Sequence, residues 1–186
     1  GAHRLPDGTL WFGSSASSLR SGLNRLVEGT FFEVPLPDGD TGGIERIRVL
    51  PAAVFLTGLF QRGPAYRLEG ARLIPALATG KPDLSASADV IAQNDGTLWF
   101  ARWGAGVWRA RPRPGNDTDW DLRRFGSADF PPGHPLAYAT CLELDDQGRV
   151  WAGCYRGACR YEHEHWQIFT AKDGLAGDGV RMIWKD

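Results

Sequence analysis

Hydrophobic and polar residues alternate along this chain in short runs of 4–7 residues. Such period-two alternation indicates β-strands that bury one face. The runs are separated by Asp-Gly, Gln-Gly and Glu-Gly dipeptides, whose glycines supply the positive φ angles of tight hairpins. No segment carries the pattern of a capped helix of 10 residues, and 76–88 and 126–137 read as loops. The pattern therefore predicts an all-β chain of many short antiparallel strands.

The strand pattern recurs about four times. Its clearest marker is an aromatic residue at one position of each repeat, and these anchor residues (Trp11, Phe55, Trp99 and Trp151) are spaced by 44, 44 and 52 residues. Four short strands in a unit of this length are typical of a β-propeller blade. The predicted fold is a β-propeller arc of about four four-stranded antiparallel blades, a fragment of a larger propeller. We expect the anchor residues to pack blade against blade.

The whole chain, residues 1–186, is thus interpreted as one partial β-propeller, with strands A to D in each blade. The first blade (1–35) is partial and is expected to lack strand A. The second (44–75) is a degenerate copy, whereas the third (88–125) and fourth (138–169) are clear. Residues 180–186 are interpreted as the start of the next blade. The remaining blades of the ring are expected as partners, because a lone blade cannot bury both of its faces.

The two clear repeats share a more specific motif. Residues 95–101 read Asp-Gly-Thr-Leu-Trp-Phe-Ala and 106–109 read Gly-Val-Trp-Arg, and the same pattern returns at 147–154 and 157–160. The segment 169–175, Phe-Thr-Ala-Lys-Asp-Gly-Leu, is followed by Val-Arg-Met-Ile at 180–183. These motifs resemble the two-component regulator propeller repeat. Two positions depart from it, since Cys154 replaces a usual threonine and Asp178 a usual asparagine.

The resemblance implies the sensor region of a bacterial signalling receptor, such as a hybrid histidine kinase, on the periplasmic or extracellular side of the inner membrane. It implies binding of a small molecule or an oligosaccharide and no catalysis in this region, with the signal passed to a downstream signalling domain and a dimer possible in the full-length receptor. It assigns no binding residues. The identity of the ligand, the number of blades and the oligomeric state stay open.

Charge and motifs narrow the function classes further. A net charge of -1 argues against a nucleic-acid partner, which a neutral surface would hold poorly. No metal site and no cofactor are expected: the Glu-His-Glu-His run at 162–165 reads as an exposed turn, and Asp145 and Asp146 as turn residues. Two alternatives remain open. A propeller lyase or hydrolase would need clustered histidines and carboxylates on the ligand face, and a protein–protein interaction scaffold would present a broad flat face.

The ligand-binding hypothesis concerns the hairpins between strands B and C, which share one face of a propeller with the links between strand D and the next strand A. Each of the four B–C hairpins carries an arginine shortly before a glycine: Arg20, Arg62, Arg102 and Arg156. Guanidinium groups suit carboxylate, sulfate or phosphate ligands. Trp103 and Tyr155 lie in the same hairpins, where they can stack on sugar rings. The hypothesis competes with the simpler interpretation of solvated loop arginines.

A disulfide between Cys154 and Cys159 is a second hypothesis. With Arg156 and Gly157 as a two-residue turn, the two cysteines would face each other as a close cross-strand pair, within reach of a bond. A bridge would suit an oxidising compartment. The alternative is that both are small apolar residues that fill the blade, which the presence of a third cysteine nearby, Cys141, favours.

Overall fold

The computed structural model describes residues 2–14, 22–37, 43–50, 53–58, 65–70, 72–77, 84, 86–126, 129–130 and 133–185. In this part of the chain the strands form four antiparallel sheets of four strands each, and each sheet follows the order of the chain. That arrangement is a set of propeller blades and confirms the predicted fold class. The chain divides into two compact units, residues 1–87 and 88–186.

The first unit contains two blades. Blade 1 consists of β1 (Ala2–Arg4), β2 (Leu10–Gly13), β3 (Leu23–Val27) and β4 (Thr30–Glu33), and blade 2 of β5 (Arg46–Val49), β6 (Val54–Thr57), β7 (Tyr66–Glu69) and β8 (Arg72–Pro75). Trp11 of β2 lies in one buried cluster with Leu23, Ile47 and Tyr66. The degenerate second repeat therefore folds as a complete blade, because it keeps the alternating apolar residues even though it has lost the motif.

The second unit contains the two repeats with the clearest motifs. Blade 3 consists of β9 (Ser87–Ala92), β10 (Leu98–Arg102), β11 (Gly106–Arg113) and β12 (Asn116–Phe125), and blade 4 of β13 (Ala139–Leu144), β14 (Val150–Cys154), β15 (Gly157–Glu162) and β16 (His165–Phe169). The long link between them ends in a short 3₁₀ turn, Pro135–Ala137, whose Leu136 is fully buried.

Each anchor residue faces an arginine across strands B and C. The four cross-strand pairs are Trp11 with Arg25, Phe55 with Arg67, Trp99 with Arg109 and Trp151 with Arg160.

In blades 3 and 4 the guanidinium of this pair lies over two rings. The guanidinium carbon of Arg109 lies 5.7 Å from the ring centre of Trp99 and 5.8 Å from the ring centre of Phe125. The guanidinium carbon of Arg160 lies 5.5 Å from the ring centre of Trp151 and 5.6 Å from the ring centre of Phe169. The repeated arginine is thus a packing residue, held by cation–π contacts.

The anchor residues are core residues, as expected. Trp11, Phe55 and Trp99 are buried, and Trp151 is half-buried. Trp99 contacts the rings of Tyr161 and Trp166, with centroids 4.8 Å and 6.0 Å away, so it joins blade 3 to blade 4.

One expectation about the ends was wrong. Blade 1 does have a strand A, because Ala2–Arg4 pairs with Leu10, Trp11 and Phe12. Residues 180–185 form no strand: Val180 instead donates a backbone hydrogen bond to the carbonyl of Cys154. That residues 180–186 begin the next blade stays a prediction.

Helical structure is confined to short 3₁₀ turns in the described ranges. In those ranges no helix has the length and apolar character required to cross a membrane.

Candidate functional site

A cleft of about 410 Å³ opens where the B–C hairpins of blades 3 and 4 meet the link between these blades. Its described lining contains Trp103 from the first hairpin, Tyr155 and Arg156 from the second, and His134 and Tyr138 from the link. The volume lies within the range of about 300–1,000 Å³ of small-molecule sites. The B–C hairpins and the D–A link thus share one end of this unit, as the propeller interpretation predicted.

Three aromatic side chains form the wall of the cleft. The ring centroid of Trp103 lies 5.4 Å from that of Tyr138 and 6.0 Å from that of Tyr155, with interplanar angles of 64° and 81°. The backbone supports this cluster: Trp103 and Tyr138 form a β-bridge, and the Tyr155 amide donates to the Tyr138 carbonyl. Even so, the three side chains are 46%, 46% and 58% exposed in that order. The three rings therefore form a contiguous apolar surface that is supported by backbone contacts and open to solvent.

The link contributes His134 to the lining of the cleft. Its ring stacks on Phe130 with centroids 4.0 Å apart, and its Nδ1 accepts a hydrogen bond from the Leu136 amide. Burial lowers the pKa of His134, which favours the neutral imidazole that this hydrogen bond requires. The histidine therefore caps the 3₁₀ turn that precedes Tyr138.

Of the six residues in the ligand-binding hypothesis, three line the cleft: Trp103, Tyr155 and Arg156. Arg102 does not line it; this residue closes the hairpin opposite Gly106 and has an interaction partner of its own. Arg20 and Arg62 lie outside the described residues. Of the four hairpin arginines, Arg156 is therefore the one that the described part of the chain places at the aromatic cleft.

Sequence reasoning missed His134 and Tyr138. Both lie in the link, which has no strand periodicity to align with the repeats. The available signal was their place between strand D of one blade and strand A of the next, on the face expected to bind ligand.

The register of the B–C hairpin of blade 4, that is, which residues of strands B and C pair, differs from the predicted register. Cys154 pairs with Gly157 and Ala152 with Cys159, so Tyr155 and Arg156 form the turn and the two cysteines are diagonal neighbours. Gly157 is the first residue of strand C, where φ is 130° and the Phe169 carbonyl comes close to the backbone. Only glycine suits this position, because a Cβ would lie 2.4 Å from the carbonyl oxygen. The predicted direct pairing was wrong.

The two cysteines are nevertheless close in space. Their sulfurs are 4.0 Å apart, and both thiols are buried and free. The hydrogen bond with Cys159 and burial raise the pKa of the Cys154 thiol. A covalent bridge between them stays a prediction.

The opposite end of the same two blades is closed by an arginine–carboxylate cluster. Glu164, in the C–D turn of blade 4, accepts hydrogen bonds from Arg109 (2.8 Å), Arg111 (3.2 Å) and Arg123 (2.6 Å) of blade 3. A hydrogen bond from Tyr161, followed by the arginines, lowers the pKa of Glu164 to about 2. Burial and the bond to Glu164 raise the pKa of Tyr161 to about 12. This cluster ties blade 4 to blade 3.

The other polar candidates behave as turn residues. Asp145 accepts hydrogen bonds from the amides of Gln147 and Arg149 and from the indole of Trp151. Burial opposes ionisation of this carboxyl, but these hydrogen bonds outweigh burial and hold its pKa at about 2. His163 and Glu164 form the two-residue C–D turn with φ angles of 50° and 63°. Among the described residues no cluster of histidine, cysteine and carboxylate side chains could hold a metal ion.

Comparison with models of known protein families gives no match, and none of the curated proteins matches the chain. Solved structures do match. The extracellular domain described as that of a hybrid two-component system from B. thetaiotaomicron superposes on 100% of this chain with a TM-score of 0.76 and 16% identity. This chain spans 24% of that protein, so it corresponds to about a quarter of its length. A second such extracellular domain from the same organism matches 90% of the chain, and 21% of its own length, with a TM-score of 0.65 and 14% identity.

Enzymes are also among the similar structures. A gluconolactonase from Xanthomonas campestris superposes on 96% of this chain, covering 62% of its own, with a TM-score of 0.63 and 19% identity. At these identities the likeness establishes the fold, a run of propeller blades. The two-component neighbours are consistent with the family that the sequence motifs resemble.

Proposed function

We propose that this chain is a ligand-sensing region of a two-component-type bacterial signalling receptor and that its ligand binds in the aromatic cleft of blades 3 and 4. The observation that carries the proposal is the cluster of Trp103, Tyr138 and Tyr155, which are ordered by backbone contacts and yet about half exposed. Contiguous exposed apolar side chains are a common feature of ligand-binding grooves and interaction surfaces. The faces of the three rings are suited to stacking on the apolar faces of sugar rings.

The charge of the cleft favours an anionic ligand. Arg156 lies at its rim and is exposed, and within the described part of the chain no ion pair involves this guanidinium. No carboxylate is among the described lining residues. A planar guanidinium binds a carboxylate or sulfate group through two parallel hydrogen bonds. An oligosaccharide with acidic groups therefore satisfies both the aromatic wall and the cation.

We propose further that this region is a sensor and not an enzyme, although a gluconolactonase shares its fold. The described lining offers an imidazole whose Nδ1 is already occupied, two phenols and one guanidinium. An assay for hydrolysis of glucono-lactone tests this point, and turnover above the buffer rate that Tyr155→Ala abolishes would contradict it. The proposed setting is the periplasmic or extracellular side of a membrane receptor, with further blades and a downstream signalling domain as partners.

The binding proposal is tested by calorimetric titration with oligogalacturonides and with neutral galacto-oligosaccharides of the same length. Replacing Arg156 by Gln is expected to weaken binding of the acidic probe about 10-fold or more, since a charge-assisted hydrogen bond contributes about 1.5–3 kcal/mol, and to change the neutral probe little. Tyr155→Ala should weaken both. Arg111→Gln, at the far end of the blades, is the matched control. Absence of binding by the acidic probe, or equal affinity for all variants, would contradict the proposal.

A further inference from the structure

We infer that Cys154 and Cys159 form a thiol–disulfide switch that constrains the cleft hairpin of blade 4. The inference is independent of which ligand the cleft binds. The sulfurs of Cys154 and Cys159 lie 4.0 Å apart on one face of the sheet. The residue pairs Cys154–Gly157 and Ala152–Cys159 place both side chains on this face, diagonally across β14 and β15.

The ring that such a bond would close contains the site. Cys154 ends β14 and Cys159 is the third residue of β15, so the residues between them are Tyr155, Arg156, Gly157 and Ala158. Two of these line the cleft. A disulfide would therefore fix both ends of the turn that presents Tyr155 and Arg156, and reduction would release them.

The third cysteine of the blade, Cys141, is not placed to compete for this bond, because its side chain is on the other face of the sheet. Cys141 is also buried, but it pairs with Gly153, and its sulfur is 2.4 Å from the position that a Cβ on Gly153 would take. Gly153 alternates with Ala152 and Cys154 along β14, so the Cys141 side chain lies on the other face of the sheet. The geometry thus assigns the bond to one pair among the three possible.

The reaction needs a disulfide oxidant, because both cysteines are reduced here. A small disulfide such as oxidised glutathione, or the active-site disulfide of a thiol oxidoreductase, accepts the two electrons. One cysteine attacks it to give a mixed disulfide and release one thiol, and the other cysteine displaces the second. In sum, two protein thiols and one external disulfide become one protein disulfide and two external thiols. Both sulfurs are buried, so we expect the exchange to occur while the hairpin is open or during folding.

The test compares the chain refolded with dithiothreitol and with oxidised glutathione. Thiol alkylation under denaturing conditions and peptide mass spectrometry are expected to show a Cys154–Cys159 bridge with Cys141 free. The bridged form should melt about 5 °C higher, the scale expected for a small closed loop in a chain of this length. Amide exchange of residues 155–158 should slow by about 10-fold or more, whereas exchange in blade 1 should not change.

Variants make the outcome decisive. Cys141→Ser should retain both effects of oxidation, whereas Cys154→Ser and Cys159→Ser should lose both, with circular dichroism to confirm that each variant is folded. Three free thiols after oxidative refolding, or a bridge that includes Cys141, would overturn the inference. A Cys154–Cys159 bridge that leaves exchange at 155–158 unchanged would overturn the claim that it constrains the hairpin.

Discussion

Replacing Glu164 by Gln is expected to loosen blade 4 from blade 3. The substitution keeps the length of the side chain and its place in the C–D turn but removes the charge that faces three arginines. The most consequential partner is Arg109, whose side chain is 5% exposed, whereas those of Arg111 and Arg123 are 47% and 49% exposed. The expected loss therefore comes mainly from one buried guanidinium.

The magnitude follows from what Arg109 retains. Removing one partner of a fully buried ion pair costs about 3–5 kcal/mol. The Glu164 side chain is 48% exposed, so solvent screens the pair. Arg109 also keeps the Tyr161 hydroxyl at 2.8 Å and its ring contacts with Trp99. We therefore expect a loss of about half that range, about 2 kcal/mol in the free energy of unfolding.

Urea denaturation followed by tryptophan fluorescence measures this loss. Arg111→Gln is the matched control, because it removes an exposed partner of the same carboxylate and should cost about 0.5 kcal/mol or less. Arg123→Gln is a second exposed control that should cost about 1 kcal/mol, because it also removes the contact of the guanidinium with the Phe125 ring at 4.6 Å. A double-mutant cycle of Arg109→Met with Glu164→Gln should give a coupling energy of at least about 1 kcal/mol. If Glu164→Gln costs no more than the exposed controls, the cluster does not join the blades as argued.

Three further results are expected, each checked by thermal or urea denaturation. The folded-state pKa of Glu164 is about 2, below the value of 4.5 for the free side chain. Glu164 should therefore contribute fully to the stability of the fold above about pH 4.5, and this contribution should fade as the pH falls toward 2. A melting temperature that is equal at pH 3 and pH 6 would contradict this. Gly157→Ala should cost at least about 2 kcal/mol, because its positive φ and a carbonyl 2.4 Å from the new Cβ both oppose a side chain. Gly148→Ala, where φ is 72° but the space is open, should cost about 1 kcal/mol. Equal losses would be evidence against the close approach at Gly157. Asp89→Ala should cost about 2 kcal/mol, because Asp89 is fully buried and accepts hydrogen bonds from the Val90 and Leu142 amides, both at 2.9 Å, which the substitution removes. A loss under 0.5 kcal/mol would show that water replaces the carboxylate.

The sequence was a sufficient guide to the blades because their determinants are local. Alternating apolar residues and Asp-Gly or Gln-Gly turns set each hairpin, so blade 3 was predicted to begin at residue 88, and its first strand is found at Ser87–Ala92. The same reasoning reached the anchor tryptophans. It did not reach the role of Arg109 and Arg160, although an arginine opposite the anchor in every blade was visible in the alignment of the repeats.

The cleft was only half predictable. Trp103 and Tyr155 follow from the hairpin positions, but Tyr138 comes from a link whose path depends on packing of Leu136 and on the His134 cap, and no periodic pattern encodes either. The turn at 154–157 was placed one residue too far along because Gly157 was assigned to the turn. Its positive φ is in fact used at the first residue of strand C, where the carbonyl of Phe169 approaches.

The central claim, that a ligand occupies the aromatic cleft, is tested most directly by two-dimensional ¹⁵N NMR of the tryptophan indoles. The chain has 8 tryptophans, and Trp103→Phe identifies the indole signal of the one in the cleft. On addition of oligogalacturonide this signal should shift in proportion to occupancy, with those of Trp108 and Trp184 unchanged and the shift lost in Arg156→Gln at the same probe concentration. The assignment of the cleft as the ligand site would be contradicted if the Trp103 signal did not shift at any oligogalacturonide concentration. It would also be contradicted if another indole signal shifted while that of Trp103 did not.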